Sequence, residues 1–276
     1  MLTARAEPPT VLLDGVRVHA LSEAECVARV LEDLAARRGG WIVTPNLDHL
    51  RQLRRDGPLT SCYAEADLVM ADGMPLVWAS RLQRTPLPGR VSGSDLIWSL
   101  SAAAARTGRS VYLLGGDPGT AEETSARLAA RSPGLRVAGC CCPPHGFEQR
   151  PEGLAEVVER LAAARPDVVF VALGTPKQEV LIGSLRRRGL LPQAWWVGVG
   201  ISFSFIAGNV RRAPVWVRRL GLEWLHRLAQ EPAKLSRRYL LDGLPYGAAF
   251  AVRSAWKGLR SDPGREPEQR SVERRG

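Results

Sequence analysis

The sequence contains no Cys-x-x-Cys pair, no Asp-x-Asp pair, no Gly-x-Ser-x-Gly and no Gly-x-Gly-x-x-Gly. Each gap argues against a class of chemistry. Of the five cysteines, three stand in a row, Cys140 to Cys142. Neighbouring side chains on an extended chain point to opposite faces, so neither a disulfide framework nor a zinc site is read from them. A Ser-His-Asp hydrolase lacks its nucleophile turn, and Asp48 and His49 are helix neighbours that cannot face each other. His145 stands alone and reads as a loop or core histidine. The turn Gly115-Gly-Asp-Pro-Gly119 departs from the dinucleotide fingerprint, and about 20 residues on stand Leu135 and Arg136 rather than an acid for a ribose. Carboxylates two apart, which often hold a divalent ion across a diphosphate, are missing, so no metal site and no cofactor is expected. No charged-then-apolar leader opens the chain, and no run nears about 18 uncharged apolar residues. These readings predict a cytoplasmic protein, with attachment to a membrane face left open.

What is present is ample core and a lopsided charge. Hydrophobic residues make up 45% of the 276, enough for one large or two small domains. The net charge is +10, and from Phe205 onward 15 Lys and Arg face 7 Asp and Glu, so eight of the ten charges fall in the last quarter. The rest is nearly neutral, which argues against a protein that coats nucleic acid. A basic end suits a phosphorylated ligand or an anionic membrane surface.

The local patterns predict alternating strands and helices. Val11–Ala20 reads as a small hairpin or edge strand around Asp14-Gly15, and Ser22 to Glu25 is a capping box opening a helix to about Arg38. Strands are expected over 41–44, 67–71, 111–114, 135–138, 168–173 and 195–199. Helices are expected over 47–55, 96–107, 120–131, 152–164 and 176–188, with others before Asp67 and after Pro75. Strands separated by helices of 10–15 residues imply parallel βαβ units. After Asn209 the rhythm changes. Trp216, Val217, Leu220, Trp224 and Leu228 fall on one arc of a helix with Arg219, Glu223, His226 and Arg227 opposite, and a second apolar stretch spans Leu240–Trp256. That pattern fits either a core face with a solvated rim or an amphipathic element at a bilayer interface. The division expected is an α/β core over 11–209, a basic amphipathic appendage over 210–260 and a disordered tail over 261–276.

Two corners carry the functional reading. At Gly174-Thr175-Pro176 a buried strand runs straight into a helix, with Thr175 as the expected cap and Lys177, Gln178 and Glu179 in the first turn. Free N–H groups at such a corner favour an anion, phosphate above all. Asp72 also follows a buried strand and precedes Gly73. A lone carboxylate there serves as a helix cap, a general base, or both.

The motifs Thr44-Pro-Asn46, Ala71-Asp-Gly73, Arg90-Val-Ser-Gly93, Gly174-Thr-Pro-Lys-Gln-Glu179, Gly198-Val-Gly200, Arg211-Arg-Ala-Pro214 and Leu220-Gly-Leu-Glu-Trp224 occur in order. Together, over roughly Leu12 to Leu241, they resemble the WecG/TagA/CpsF glycosyltransferases. The resemblance implies a Rossmann-like parallel sheet with helices on both faces and a helical, basic C-terminal appendage. It implies inverting, metal-independent transfer of N-acetylmannosamine or a related sugar from a UDP-sugar to a polyprenyl-diphosphate-linked sugar, at the inner face of the cell membrane. By position, Asp72 is similar to the family's catalytic base, and Thr44, Asn46, Arg90 and Gln178 to its pocket residues, with Lys177 beside them. Arg227, Lys234 and Arg237 are similar to appendage residues that close over the diphosphate. Two positions depart from the pattern. Ser204 stands where many members carry an aspartate at the nucleotide, and Lys234 stands where an arginine is usual, although an ammonium cannot make the same bidentate fork. The competing readings are a nucleotide-sugar-binding module without turnover and, less favoured by the 115–119 turn, an NAD-dependent enzyme. Donor identity, acceptor identity and assembly into a homo-oligomer stay open.

Overall fold

The computed structural model describes residues 7–55 and 57–260, except for the side chains of Lys234 and Arg238. The tail expected over 261–276 lies outside the described residues. The chain opens with a hairpin of β1 (Thr10–Leu13) and β2 (Val16–His19), turning at Asp14-Gly15. Helix α1 (Glu23–Ala35) starts at the expected capping box, with the Ser22 and Glu25 side chains each bonding the other's backbone. Then follow β3 (Gly40–Val43), α2 (Leu47–Leu53), α3 (Pro58–Ala64), β4 (Leu68–Val69) and α4 (Met74–Leu82). Next come α5 (Gly93–Arg106), β5 (Ser110–Gly115), α6 (Thr120–Arg131), β6 (Arg136–Cys141) and α7 (Pro151–Ala164). The core closes with β7 (Val168–Ala172), α8 (Lys177–Arg187), β8 (Trp195–Gly198) and α9 (Ser202–Ala207). The C-terminal segment is α10 (Val215–Arg219), α11 (Glu223–Gln230), α12 (Pro232–Ser236), a π-helical stretch over Arg237–Gly243, and α13 (Leu244–Arg260).

Six strands pair in parallel in the order β4-β3-β8-β7-β5-β6. Strands β3, β4, β5, β7 and β8 are buried on both faces, so their side chains alternate between two cores, while edge strand β6 is half-exposed. Trp41, Val43, Tyr112, Leu114, Val169, Val171 and Trp196 face α2, α3, α4, α7 and α8. Ile42, Val111, Leu113, Val168, Phe170, Trp195 and Val197 face α1, α5, α6 and α9. From β5 the chain crosses one way to β6, and from β7 it crosses the other way to β8. The reversal opens a crevice at the carboxyl ends of β5 and β7, the place where open α/β sheets bind ligands.

The C-terminal segment corrects one expectation and, for a second stretch, favours one of the two readings left open. The single helix expected over 216–228 is broken. Gly221 lies at φ 68, and a Cβ there would meet the Trp78 ring at 2.7 Å and the Met74 Cβ at 2.8 Å, so the chain turns against α4 before α11 begins. The apolar arc therefore never forms one face: Val217 is buried while Trp216 and Leu220 are exposed. The stretch 240–256 is partly core, since α13 lies along α4 with Phe250, Ser254 and Gly258 buried. Gln83 donates to Ser254 Oγ (3.2 Å), and Tyr246 donates to Asp14 (2.6 Å), fastening α13 to the hairpin turn. Among the described residues no helix is long and apolar enough to cross a membrane.

Candidate active site

Strand β4 is short, but its backbone continues to bond β3 and the loop beyond: Met70 N–H donates to Val43 O (2.9 Å) and Asp72 N–H to Pro45 O (2.8 Å). Val91 N–H donates to Ala71 O (2.8 Å), which brings the Arg90–Gly93 segment alongside. Asp72 thus sits where the loops after β3 and β4 and the start of α5 converge. Helix α5 is capped by Ser92, whose hydroxyl accepts from Asp95 N–H (3.2 Å) and donates to the Asp95 carboxylate (2.7 Å).

A six-member charge cluster surrounds this point. Arg90 reaches Asp95 at 2.6 Å, Glu223 at 3.2 Å and Asp72 at 3.7 Å. Arg212 reaches Asp95 at 2.8 Å and Glu223 at 3.7 Å, and Arg218 reaches Asp95 at 3.1 Å. Three guanidiniums meet three carboxylates, and the carboxylates are not equivalent. Burial alone would raise the Asp95 carboxyl, but hydrogen bonds from Arg212 and Ser92 and the charge of Arg90 outweigh it and hold the group below its usual range. Asp72 receives little of that support. Displacement of water by the surrounding protein pushes its carboxyl up to about 7; Arg90 and Arg212 oppose the shift, while Glu223 and Asp95 add to it. Its side chain still keeps 29% of its accessible surface. A partly accessible carboxyl titrating near neutrality, at a strand's carboxyl end, has the properties of a general base.

The β7–α8 corner forms a second polar group. Thr175 does not cap α8, whose N-cap is Pro176. Its hydroxyl accepts from His49 Nε2 (2.5 Å) and donates to Glu179 Oε1 (3.0 Å). His49 Nδ1 accepts from Asn46 N–H (2.9 Å), which places the ring proton on Nε2. Gln178 donates to the same Glu179 oxygen (2.9 Å) and accepts from Gly200 N–H (3.0 Å). This buried chain ties the loops after β3, β7 and β8 together, and Asn46 Oδ1 further caps α2 by accepting from Asp48 and His49 N–H.

At the crevice, Gly116 (φ 84) turns where a Cβ would lie 2.4 Å from Thr120 Oγ1 and 2.9 Å from the Phe203 ring. The next residue, Asp117, accepts from the Ser204 hydroxyl at 3.1 Å. A carboxylate is therefore present beside Ser204, supplied by the β5–α6 turn rather than by α9.

The structure brings Asn46, Asp72 and Arg90 together, sets Thr44 beside Gly93 at the head of α5, and buries Gln178 one corner away. Lys177 is exposed and pairs with Glu148 at 3.3 Å. Arg227 of α11 pairs with Glu231, the residue just beyond that helix, at 3.6 Å; Arg237 is exposed, and the Lys234 side chain lies outside the described residues. The guanidiniums that meet the cluster from the C-terminal segment are Arg212 and Arg218. Sequence reasoning gave roles to neither, nor to Asp95 and Glu223. The signal was there for two of them, because Arg212 and Glu223 fall inside motifs already singled out.

The sequence matches the glycosyl transferase WecG/TagA/CpsF family over residues 11–261. The protein belongs to that family. Two relatives, from Bacillus spizizenii (strain ATCC 23059 / NRRL B-14472 / W23) and Bacillus subtilis (strain 168), are each named N-acetylglucosaminyldiphosphoundecaprenol N-acetyl-beta-D-mannosaminyltransferase. The first is 36% identical over 206 residues, 74% of this chain and 76% of the relative. The second is 32% identical over 199 residues, 72% of this chain and 75% of the relative. Glycosyl transfer draws on groups that can take a proton from a hydroxyl and groups that can face an anion. Asp72 and the arginines around it offer both within one cluster.

Proposed function

We propose that this glycosyltransferase moves N-acetylmannosamine or a related sugar from a UDP donor to a polyprenyl-diphosphate-linked N-acetylglucosamine, inverting the anomeric centre without a metal ion. The observation that carries the reading is Asp72, a carboxyl pushed up to about 7 and set 3.7 Å from Arg90 at a strand's carboxyl end. Ionised Asp72 takes the proton of the acceptor hydroxyl as that oxygen bonds to the anomeric carbon. The bond from that carbon to UDP breaks, and the electron pair leaves with the diphosphate. Arg90, Arg212 and appendage cations, with Arg227, Lys234 and Arg237 assigned by resemblance, meet the charge. The donor nucleoside fits the crevice at Gly116 and Asp117, where Asp117 and Ser204 offer a carboxylate and a hydroxyl to its donors. The role of Gln178, through its bond to Gly200 N–H, is to hold that crevice in shape.

The direct test is UDP release from UDP-N-acetylmannosamine with a lipid-diphosphate N-acetylglucosamine acceptor, with and without EDTA. Acceptor-dependent release that EDTA leaves unchanged is expected. Release that stops in EDTA and returns with magnesium or manganese would sink metal independence.

A lipid-linked acceptor calls for an enzyme that works at a membrane surface, and the inner face of the cell membrane is the side this reading gives it. Trp216 and Leu220 are 64% and 55% exposed beside the exposed Arg219 of α10. An apolar side chain flanked by basic residues suits an anionic bilayer interface, each basic residue near the surface contributing about 1 kcal/mol. Removing the whole C-terminal segment would strip Phe250 from the core and confuse attachment with folding. Trp216→Glu with Leu220→Glu is cleaner. The double variant is expected to lose at least half of its sedimentation with phosphatidylglycerol vesicles while keeping turnover on a water-soluble acceptor. Unchanged sedimentation would move the attachment surface elsewhere.

A further inference from the structure

The charge cluster contains a carboxylate that has no part in the reaction as written. Asp72 is the base, and Asp95 is locked into the first turn of α5 by Ser92, Arg90, Arg212 and Arg218. Glu223 is the third. It comes from α11, and its oxygens engage the cluster through Arg90 (3.2 Å) and Arg212 (3.7 Å).

With Asp72 ionised, as the reaction requires, three guanidiniums against three carboxylates leave the cluster with no net charge to offer. A diphosphate brings at least two negative charges of its own. It binds well only if a carboxylate withdraws from the arginines, because like charges sharing a buried site repel. Asp72 and Asp95 cannot withdraw: the Asp72 backbone N–H donates to Pro45 O, and the Asp95 carboxylate is held in the first turn of α5 by Ser92 and three guanidiniums. Glu223 can. None of the residues of α11 is fully buried, and the helix begins just after the turn at Gly221, which is pinned against Trp78 and Met74. A small rotation of α11 about that turn would carry Glu223 off Arg90 without disturbing the core.

We propose that Glu223 is a built-in anion that occupies Arg90 and Arg212 until a substrate diphosphate takes its place, so that α11 and the diphosphate compete for the same guanidiniums. Glu223 is then a positioning residue, holding Arg90 oriented next to Asp72 and setting how tightly the diphosphate binds. The inference rests on the diphosphate-donor reading and deepens it. It also has a consequence at the base. The groups facing Asp72 are Arg90, Asp95 and Tyr63 from the core and Arg212 and Glu223 from the C-terminal segment. Replacing Glu223 by an amide deletes one negative neighbour, so the Asp72 carboxyl becomes easier to ionise.

The experiment compares wild type with Glu223→Gln, with Glu123→Gln as a control for net charge, since Glu123 is exposed and pairs with Arg127 on α6. Calorimetry with inorganic pyrophosphate and with UDP reads affinity. The dependence of kcat/KM on pH reads the free enzyme's base. Glu223→Gln is expected to bind pyrophosphate and UDP about tenfold more tightly, the equivalent of one charge-assisted hydrogen bond no longer competing. The acid limb of kcat/KM is expected to move to lower pH, and Glu123→Gln is expected to change neither. Equal affinities in wild type and Glu223→Gln, or an equal gain in Glu123→Gln, overturn the inference alone. If neither wild type nor variant binds UDP or pyrophosphate, the donor reading falls and the inference with it. Should Glu223→Gln fail to fold, Glu223→Asp, which keeps the charge but shortens the reach to Arg90, is expected to tighten pyrophosphate binding as well; an unchanged affinity there overturns the proposal.

Discussion

Asp72→Asn is expected to bind UDP nearly as tightly as wild type while transferring sugar 10²–10⁴-fold more slowly, the range a positioned general base supplies. Asparagine keeps the shape and the place beside Arg90 but cannot accept the acceptor's proton. In the wild type, kcat/KM should fall tenfold per pH unit below about 7, because the protonated carboxyl is not a base. The residual activity of the variant should lack that limb. Stability supplies an independent check. The folded carboxyl titrates at about 7 against an ordinary 3.8, so folding favours the protonated form. That contribution is fully present below pH 4 and is lost as pH rises through 7. At pH 8 the wild type therefore carries a cost on the order of a few kcal/mol that Asp72→Asn relieves. Thermal unfolding should show the variant more stable at pH 8 and level with wild type near pH 4. A variant that keeps more than a tenth of wild-type turnover would reduce Asp72 to a local structural carboxyl.

The sheet was legible because its signals are local. The capping box at Ser22 gave α1, and uninterrupted β-branched and aromatic runs gave β7 and β8. Helix α6 begins and ends where its pattern does. What failed depended on distant partners. Thr175 looks like a cap in sequence, but His49, 126 residues away, and buried Glu179 outbid the backbone for its hydroxyl. The arc from Trp216 to Leu228 satisfies a helical period, yet Gly221 turns the chain because Trp78 and Met74 of α4 lie against it. Strand β6 runs on through Cys140 and Cys141, since edge pairing to β5 tolerates residues a sequence reading would leave in a loop. For the site, Asp72 and Arg90 were legible from position and motif. The ion-pair partners of Arg90 were not, because Glu223 lies 133 residues along the chain and no spacing rule links the two. Ser204 shows the same limit: its departure from the family pattern is visible in sequence, but the Asp117 carboxylate beside it is not.

Arg90→Ala should be the most damaging single change in the cluster, for two separable reasons. The first is structural. Arg90 is 14% exposed and touches Asp95, Glu223 and Asp72. Its loss leaves three carboxylates to Arg212 and Arg218, and breaking a buried pair by removing one partner costs about 3–5 kcal/mol. A markedly lower Tm at pH 8 is expected, recovering in part near pH 5 as the unpaired carboxyls protonate. The second reason is catalytic. Arg90 is the strongest of the charges holding the Asp72 carboxyl down, so without it that carboxyl rises above about 7. At pH 7 the base is then protonated, and a cation for the leaving diphosphate is also gone. Losing such a preorganised group costs about 10²–10³ in kcat. The two catalytic effects part with pH. Raising the pH to 9 ionises Asp72 again and should restore the share of kcat/KM due to the base, while the share due to the missing cation stays lost. Arg90→Lys keeps a charge but cannot fork among three carboxylates, so it should regain the pH profile before it regains the rate. A loss in Arg90→Ala that is equal at pH 7 and pH 9 would mean that Arg90 acts on the substrate alone and leaves Asp72 untuned.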